Sequence, residues 1–171
     1  MKITIKELRN GMTIYRNQQV IQVIEFRNMN EYYHLKVMNF TTHQREEIDI
    51  PTTETIETIT PDFTNAELND ITGDTYLFFD TDNYDFIEVH KSAISKPKWM
   101  IETVSCVLYS YNRIVYRVEP SHYIKVKVNR IEPGFKPIAV LGNGTKIEVD
   151  SSVFEGDFIT IDTATEQYLP Y

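Results

Sequence analysis

Few residues in this chain are of types that do chemistry, and their spacing decides what chemistry is open to them. The four histidines, His34, His43, His90 and His122, are scattered. No two stand at metal-ligand spacing, so no metal site is expected. The single cysteine, Cys106, lies in the strand-like run TVSCVLYSY and reads as a buried small hydrophobe rather than a nucleophile. Being alone, it excludes an internal disulfide and a thiolate metal cluster. The carboxylates Asp74, Asp80, Asp82 and Asp85 crowd one stretch. They lack the glycine and the closing glutamate of a calcium loop, so turn and solvated-face roles are expected. LGNGT, Leu141 to Thr145, reads as a hairpin turn, because no lysine follows its second glycine and the chain continues as a strand. No Ser-His-Asp arrangement can be argued from spacing. The residues imply neither an enzyme nor a cofactor.

A different kind of site is offered by VIEFRNMNEYYHLKV, Val23 to Val37. Two apolar-rich runs, VIEF and YYHLKV, face each other across RNMNE, which reads as a hairpin turn. The tip consists of Asn28, Met29, Asn30 and Glu31, and carries no cation. Arg27 and Lys36 flank it, and Lys2, Lys6, Arg9, Arg16 and Arg45 complete the basic residues of this part of the chain. If the segment binds RNA, Arg27, Lys36 and Arg45 are the candidate phosphate contacts. A mixed, solvated surface is the competing reading. Tyr32 or Tyr33 could stack on a base, but neighbouring strand residues face opposite ways, so only one of them is free to do so. Tyr32 is the candidate.

The elements that position these residues are strands. ITIKEL, MTIYR, QQVIQVIEF, YYHLKVMNF, TYLFFD, FIEV, RIVYRV, YIKVKV, PIAVL, TKIEV and DFITIDT are short alternating or β-branched runs separated by polar turns. No segment keeps a helical period. KSAISKPKW, Lys91 to Trp99, has room for one helical turn, which Pro97 limits. Many short strands at even spacing predict all-β barrels or sandwiches. Two boundaries are expected, one in the Thr-rich IPTTETIETITPDFTNAEL (Ile50 to Leu68) and one at RIEPGFKP (Arg130 to Pro137). They divide the chain into domains 1–62, 63–128 and 129–171. The last is close to the ~40-residue limit for an independent core and must lean on its neighbour.

The 171 residues are 42% hydrophobic and 25% charged, ordinary for a packed soluble protein. There is no apolar run long enough for a membrane span and no apolar core of a signal peptide near the N-terminus, so a cytoplasmic protein is expected. A net charge of −8 argues against general adhesion to nucleic acid, DNA included, or to anionic lipid, though it leaves room for a local basic patch.

Three segments carry a resemblance. LRNGMTI followed by QVIEF (Leu8 to Phe26), GDTYLFFDTDNYDFIEV (Gly73 to Val89) and FEGDFITIDTATEQYL (Phe154 to Leu169) resemble bacterial elongation factor P in order and spacing along nearly the whole chain. The middle motif is the most specific. Lys98 to Gly134 follows the family's strand pattern more loosely. The resemblance implies an SH3-like N-terminal barrel followed by two OB-type barrels, the last shortened, in an L shape that mimics tRNA. It also implies binding to the ribosome between the P and E sites, beside the peptidyl-tRNA, and a monomer is expected.

Two departures qualify the resemblance. In the family the hairpin after the I-E-F strand carries a glycine-rich loop, with an often modified lysine or arginine at its tip pointing to the peptidyl-transferase centre. Aligning QVIEF and HLKVMNF leaves this chain about four residues short there, at ~3.3–3.6 Å of reach per extended residue. Asn28, Met29, Asn30 and Glu31 occupy the shortened loop. The family's Gly-Asp-Thr loop, implied to contact the message, is also missing. EPGFKPIAVL runs directly from Pro133 and Gly134 into a strand, and the GDT at Gly73 to Thr75 belongs to the middle segment. The expectation is therefore a translation factor acting without a lysine tip. The alternative is a diverged binding module with a different RNA or protein partner, and a degenerate paralogue is a third possibility.

Overall fold

The computed structural model describes residues 1–170. Among them there is no α-helix, only three short 3-10 turns and sixteen strands in three barrel-like sheets. Among the described residues no helix is long and apolar enough to cross a membrane.

The first sheet contains β1 (Lys2–Thr4), β2 (Thr13–Arg16), β3 (Gln19–Asn28), β4 (Tyr32–Asn39), β5 (Gln44–Pro51) and β6 (Thr55–Thr58), in the order β1-β6-β2-β3-β4-β5. Alternation along β4 places Tyr33, Leu35 and Val37 inward, where they join Ile14, Val23 and Ile50 in the core. The run ITIKEL is not the single strand its pattern predicts. After β1 it turns into a 3-10 segment, Ile5–Glu7, because the Glu7 carboxylate accepts the Thr4 N–H at 2.7 Å and its hydroxyl at 3.1 Å, a capping box.

The second sheet holds β7 (Asp62–Thr72), β8 (Thr75–Asp80), β9 (Phe86–His90), β10 (Ser105–Tyr111) and β11 (Ile114–Pro120), in the order β11-β10-β7-β8-β9. KSAISKPKW forms two 3-10 turns, Lys91–Ala93 and Pro97–Trp99, with Pro97 opening the second as it readily does at a helix start. The third sheet holds β12 (Tyr123–Glu132), β13 (Ile138–Leu141), β14 (Lys146–Glu148), β15 (Phe158–Asp162) and β16 (Gln167–Leu169), in the order β14-β13-β12-β15-β16.

Both expected boundary segments carry structure. The Thr-rich stretch supplies β6 and most of β7, since its alternating Thr and Ile residues suit a pleated surface. RIEPGFKP closes β12 and then loops directly back into β13, pairing Glu132 with Ile138. A proline-glycine pair marks a chain reversal inside a sheet as readily as a link between domains. A cut at 128/129 thus falls inside β12, the central strand of the third sheet.

The chain forms two compact units. One comprises residues 1–63 with 109–117, and the other residues 64–108 with 118–171. In the first, Tyr111 meets Tyr15 edge-on with ring centroids 5.0 Å apart, and Tyr116 lies 6.2 Å from Phe40. The second contains the third sheet and most of the second, tied at Lys98. The Lys98 carbonyl accepts from Asn143 Nδ2 at 2.9 Å and Thr145 Oγ1 at 2.8 Å, while its ammonium lies 2.5 Å from Glu166.

Candidate nucleic-acid interface

β3 and β4 form the expected hairpin, pairing Phe26 with Leu35, Arg27 with His34 and Asn28 with Tyr33. Asn28 is therefore the last strand residue, and Met29, Asn30 and Glu31 make the turn. Asn30 has φ +73°, a left-handed conformation that asparagine tolerates better than most side chains. The turn is held from within and from outside. The Met29 N–H donates to the Tyr32 carbonyl at 2.9 Å, and the Asn30 N–H to the Asn28 side chain at 2.9 Å. Thr52, just beyond β5, donates both its N–H and its hydroxyl to the Glu31 carbonyl. All four residues Asn28 to Glu31 are exposed, and none is cationic.

The sequence placed a candidate contact surface beside this tip, and the register decides its composition. Val23 pairs with Val37, and then Ile24 is an extra residue before Glu25 pairs with Lys36. This β-bulge resets the alternation, so Phe26 turns to the core while Glu25 and Arg27 face outward. On the outer side of β3, β4 and β5 three rows then lie across the strands. Arg27, His34 and Asp49 form the first, Glu25, Lys36 and Glu47 the second, and Gln22, Met38 and Arg45 the third. Arg27, Lys36 and Arg45 thus share one face. Tyr32 is exposed at its end and Tyr33 is buried, with its ring stacked 5.7 Å from Phe26.

Three carboxylates share that face with the cations. Lys36 is 3.3 Å from Glu25, whereas Arg27 and Arg45 form no salt bridge with the described residues. His34 bridges two acids, Nδ1 lying 2.6 Å from Asp49 and Nε2 3.3 Å from Glu47. Hydrogen bonds to Asp49 and then Glu47 raise the imidazole's pKa. With three cations set against three carboxylates, the proton on His34 decides the sign of the face. By sequence spacing His34 is only one of four scattered histidines. Its place between two carboxylates depends on the β4–β5 register, which the short acidic run of β5 conceals.

The other candidates are placed as follows. Cys106 is buried, and that burial pushes its thiol up to about 12. Asp80 organises the turn after β8, accepting N–H bonds from Asp82 at 2.9 Å and Asn83 at 3.0 Å. The Asn83 side chain holds its carboxyl below the usual range. Asp74 pairs with Lys91 at 3.0 Å. His90 accepts from the Ser92 N–H, and His122 lies 3.0 Å from Asp162. Among the described residues no group of histidine, cysteine or carboxylate side chains is arranged to hold a metal. LGNGT is the β13–β14 turn, and the loop 133–137 joins β12 to β13.

Three small all-β sheets, the first bearing a short hairpin with a charged outer face, define a tandem-barrel protein. No protein-family model matches the chain. Elongation factor P of Caldicellulosiruptor bescii is 31% identical over 95% of this chain and 96% of its own length. That of Acetivibrio thermocellus is 26% identical over 98% of both chains. Among solved structures, translation initiation factor 5A from Methanococcus jannaschii aligns with a TM-score of 0.44 and 11% identity, over 71% of this chain and 92% of its own. The chain belongs to the elongation factor P family.

Proposed function

We propose that this protein is a translation factor that binds the ribosome beside the peptidyl-tRNA, between the P and E sites. It assists peptide-bond synthesis by shape and position, without a modified side chain at its tip. On this reading it is a cytoplasmic monomer with no catalytic residue of its own. It divides into an SH3-like domain and two OB-type domains, the last shortened. The observation that carries the reading is that Arg27, Lys36 and Arg45 lie on one exposed face that runs back from the hairpin tip, with Tyr32 at its tip end. Exposed cations at strand spacing suit a phosphate backbone, and an exposed tyrosine suits a base. Asn28, Met29, Asn30 and Glu31 replace the family's longer loop with a fixed turn.

The test is sedimentation with ribosomes carrying peptidyl-tRNA at low and moderate salt. Salt-sensitive co-sedimentation, weakened by Arg27→Glu with Lys36→Glu, is the expected result. Absence of binding at both salts overturns the reading. One observation favours a second reading, a binding module with another partner: Glu25, Glu47 and Asp49 alternate with the cations and repel phosphate. Binding to a protein but not to ribosomes would support it.

A further inference from the structure

The outer side of β7, β8 and β9 sets exposed aromatic rings among carboxylates. Across these strands Glu67 pairs with Phe79 and Phe79 with Phe86, so the three form one row. The bulge after Leu68 then brings Asp70 opposite Leu77, which pairs with Glu88, to form the next row on the same face. Their neighbours Leu68, Phe78 and Val89 point the other way, into the core. The face therefore carries two aromatic rings, a leucine and three carboxylates, with no lysine or arginine in either row.

The turn after β8 extends it. Asp80 fixes this turn through the bonds to Asp82 and Asn83, and the Tyr84 N–H closes on the Asp80 carbonyl at 2.9 Å. Tyr84 is consequently held out at 75% exposure beside Phe86 at 61%. Their rings flank Phe79, at centroid distances of 6.2 and 5.4 Å. Asp82 and Asp85 stand on the same turn.

The acids here are not neutralised. Four other exposed carboxylates, Glu25, Asp74, Glu148 and Glu166, each pair with a lysine, Asp74 with Lys91 at the end of these same strands. Glu67, Asp85 and Glu88 form no salt bridge with the described residues. Exposed aromatic rings amid unpaired carboxylates attract a cation in two ways, by charge and through the negative faces of the rings. The chain itself uses the second, with Lys98 lying 5.2 Å from the Trp99 ring centre and Arg117 4.9 Å from that of Tyr109. The same carboxylates repel nucleic-acid phosphate, which weighs against the base-stacking use that exposed aromatics on a small barrel would otherwise have.

We propose that the outer face of β7–β9, with its turn at residues 81–85, is a docking surface for a lysine- and arginine-rich segment of a protein partner. Glu67 and Glu88 are its charge contacts, and Tyr84 and Phe86 its cation–π contacts. The surface is independent of the hairpin face and of the ribosome reading, and its test contains no ribosome.

The experiment titrates the full chain with a short lysine- and arginine-rich peptide, and separately with a glutamate-rich peptide and a single-stranded RNA. Affinity is measured by fluorescence anisotropy, and the site is mapped by amide chemical shifts. The basic peptide binds in a salt-sensitive manner and shifts amides of residues 65–90, while the other two probes leave them unmoved. Tyr84→Ala with Phe86→Ala weakens binding about tenfold, as loss of two exposed cation–π contacts implies. Glu67→Gln with Glu88→Gln weakens it as well, and these exposed positions keep the test decisive if loss of Phe86 loosens the sheet. The proposal is overturned if the basic peptide does not bind or shifts other residues. It is equally overturned if the RNA takes the face, or if the folded aromatic variant binds as tightly as the parent.

Discussion

Thr52 holds the tip of the first hairpin through Glu31, to whose carbonyl it donates both its N–H and its Oγ1–H, each at 3.1 Å. The turn of residues 29–31 is therefore bound to the strand end beyond it. Thr52→Val keeps the side chain's shape and the backbone bond and deletes the hydroxyl bond. The expected cost is about 1 kcal/mol or less, the net value of one partly solvated hydrogen bond. Urea unfolding measures the loss. Amide exchange adds a local signature, because the N–H groups of residues 29–31 should exchange faster in the variant while those of β2 do not change. Equal protection at the tip in both proteins contradicts the clamp.

The hairpin was legible because its two runs are apolar on one side and its turn residues are polar. The composition of its outer face was not. Strict alternation from Val23 would send Glu25 and Arg27 into the core, and only the extra residue Ile24 turns both outward. Such a bulge leaves no mark in VIEF. The same limit applied to β5, whose run REEID hides one inward face behind four charges, so that Glu47 and Asp49 were not seen beside His34. The β-rich class was legible all the same, because every sheet repeats the same short-strand pattern. At RIEPGFKP the Pro-Gly signal marks a reversal and not which strands pair across it, so the pairing of β12 with β13 was not legible.

The pairing of His34 with Asp49 and Glu47 makes stability and charge depend on pH. Its folded pKa lies above the ordinary value of 6.5. Protonated imidazole is thus bound more favourably in the folded state, and this contribution is full below 6.5 and fades as pH rises through the folded value. The destabilisation caused by His34→Gln should therefore be larger at low pH than at high pH. Histidine ring resonances followed by NMR should show His34 titrating above 6.5 in the parent and returning toward it in Asp49→Asn with Glu47→Gln. If the outer face contacts RNA, acidification through the same range strengthens ribosome binding of the parent and not of His34→Gln.

A second expectation concerns the tip itself. Met29, Asn30 and Glu31 offer no amine, so a lysine-modifying enzyme has no substrate there. The intact mass of protein isolated from its native cells should equal the sequence mass over the tip region. A peptide spanning residues 27–36 that carries an added group would refute the reading of a factor that works without a modified side chain.

Cys106 gives a test of the second sheet. Burial, with the Glu119 carboxylate as a lesser influence, raises its thiol to about 12, so the thiolate that reacts with alkylating agents is scarce in the folded protein. Mass spectrometry should find little alkylation near pH 8 in native buffer and complete alkylation in denaturant. The unfolded thiol ionises from about pH 8.5, while the folded one keeps its proton to about 12. In that window the unfolded state releases a proton that the native state retains, so stability falls as pH rises. Cys106→Ala removes this alkaline loss while leaving a small cavity whose cost does not vary with pH. The parent and the variant should therefore differ most near neutrality and converge as pH rises. A constant difference between them would mean that the thiol is open to solvent, and that β10 does not bury it.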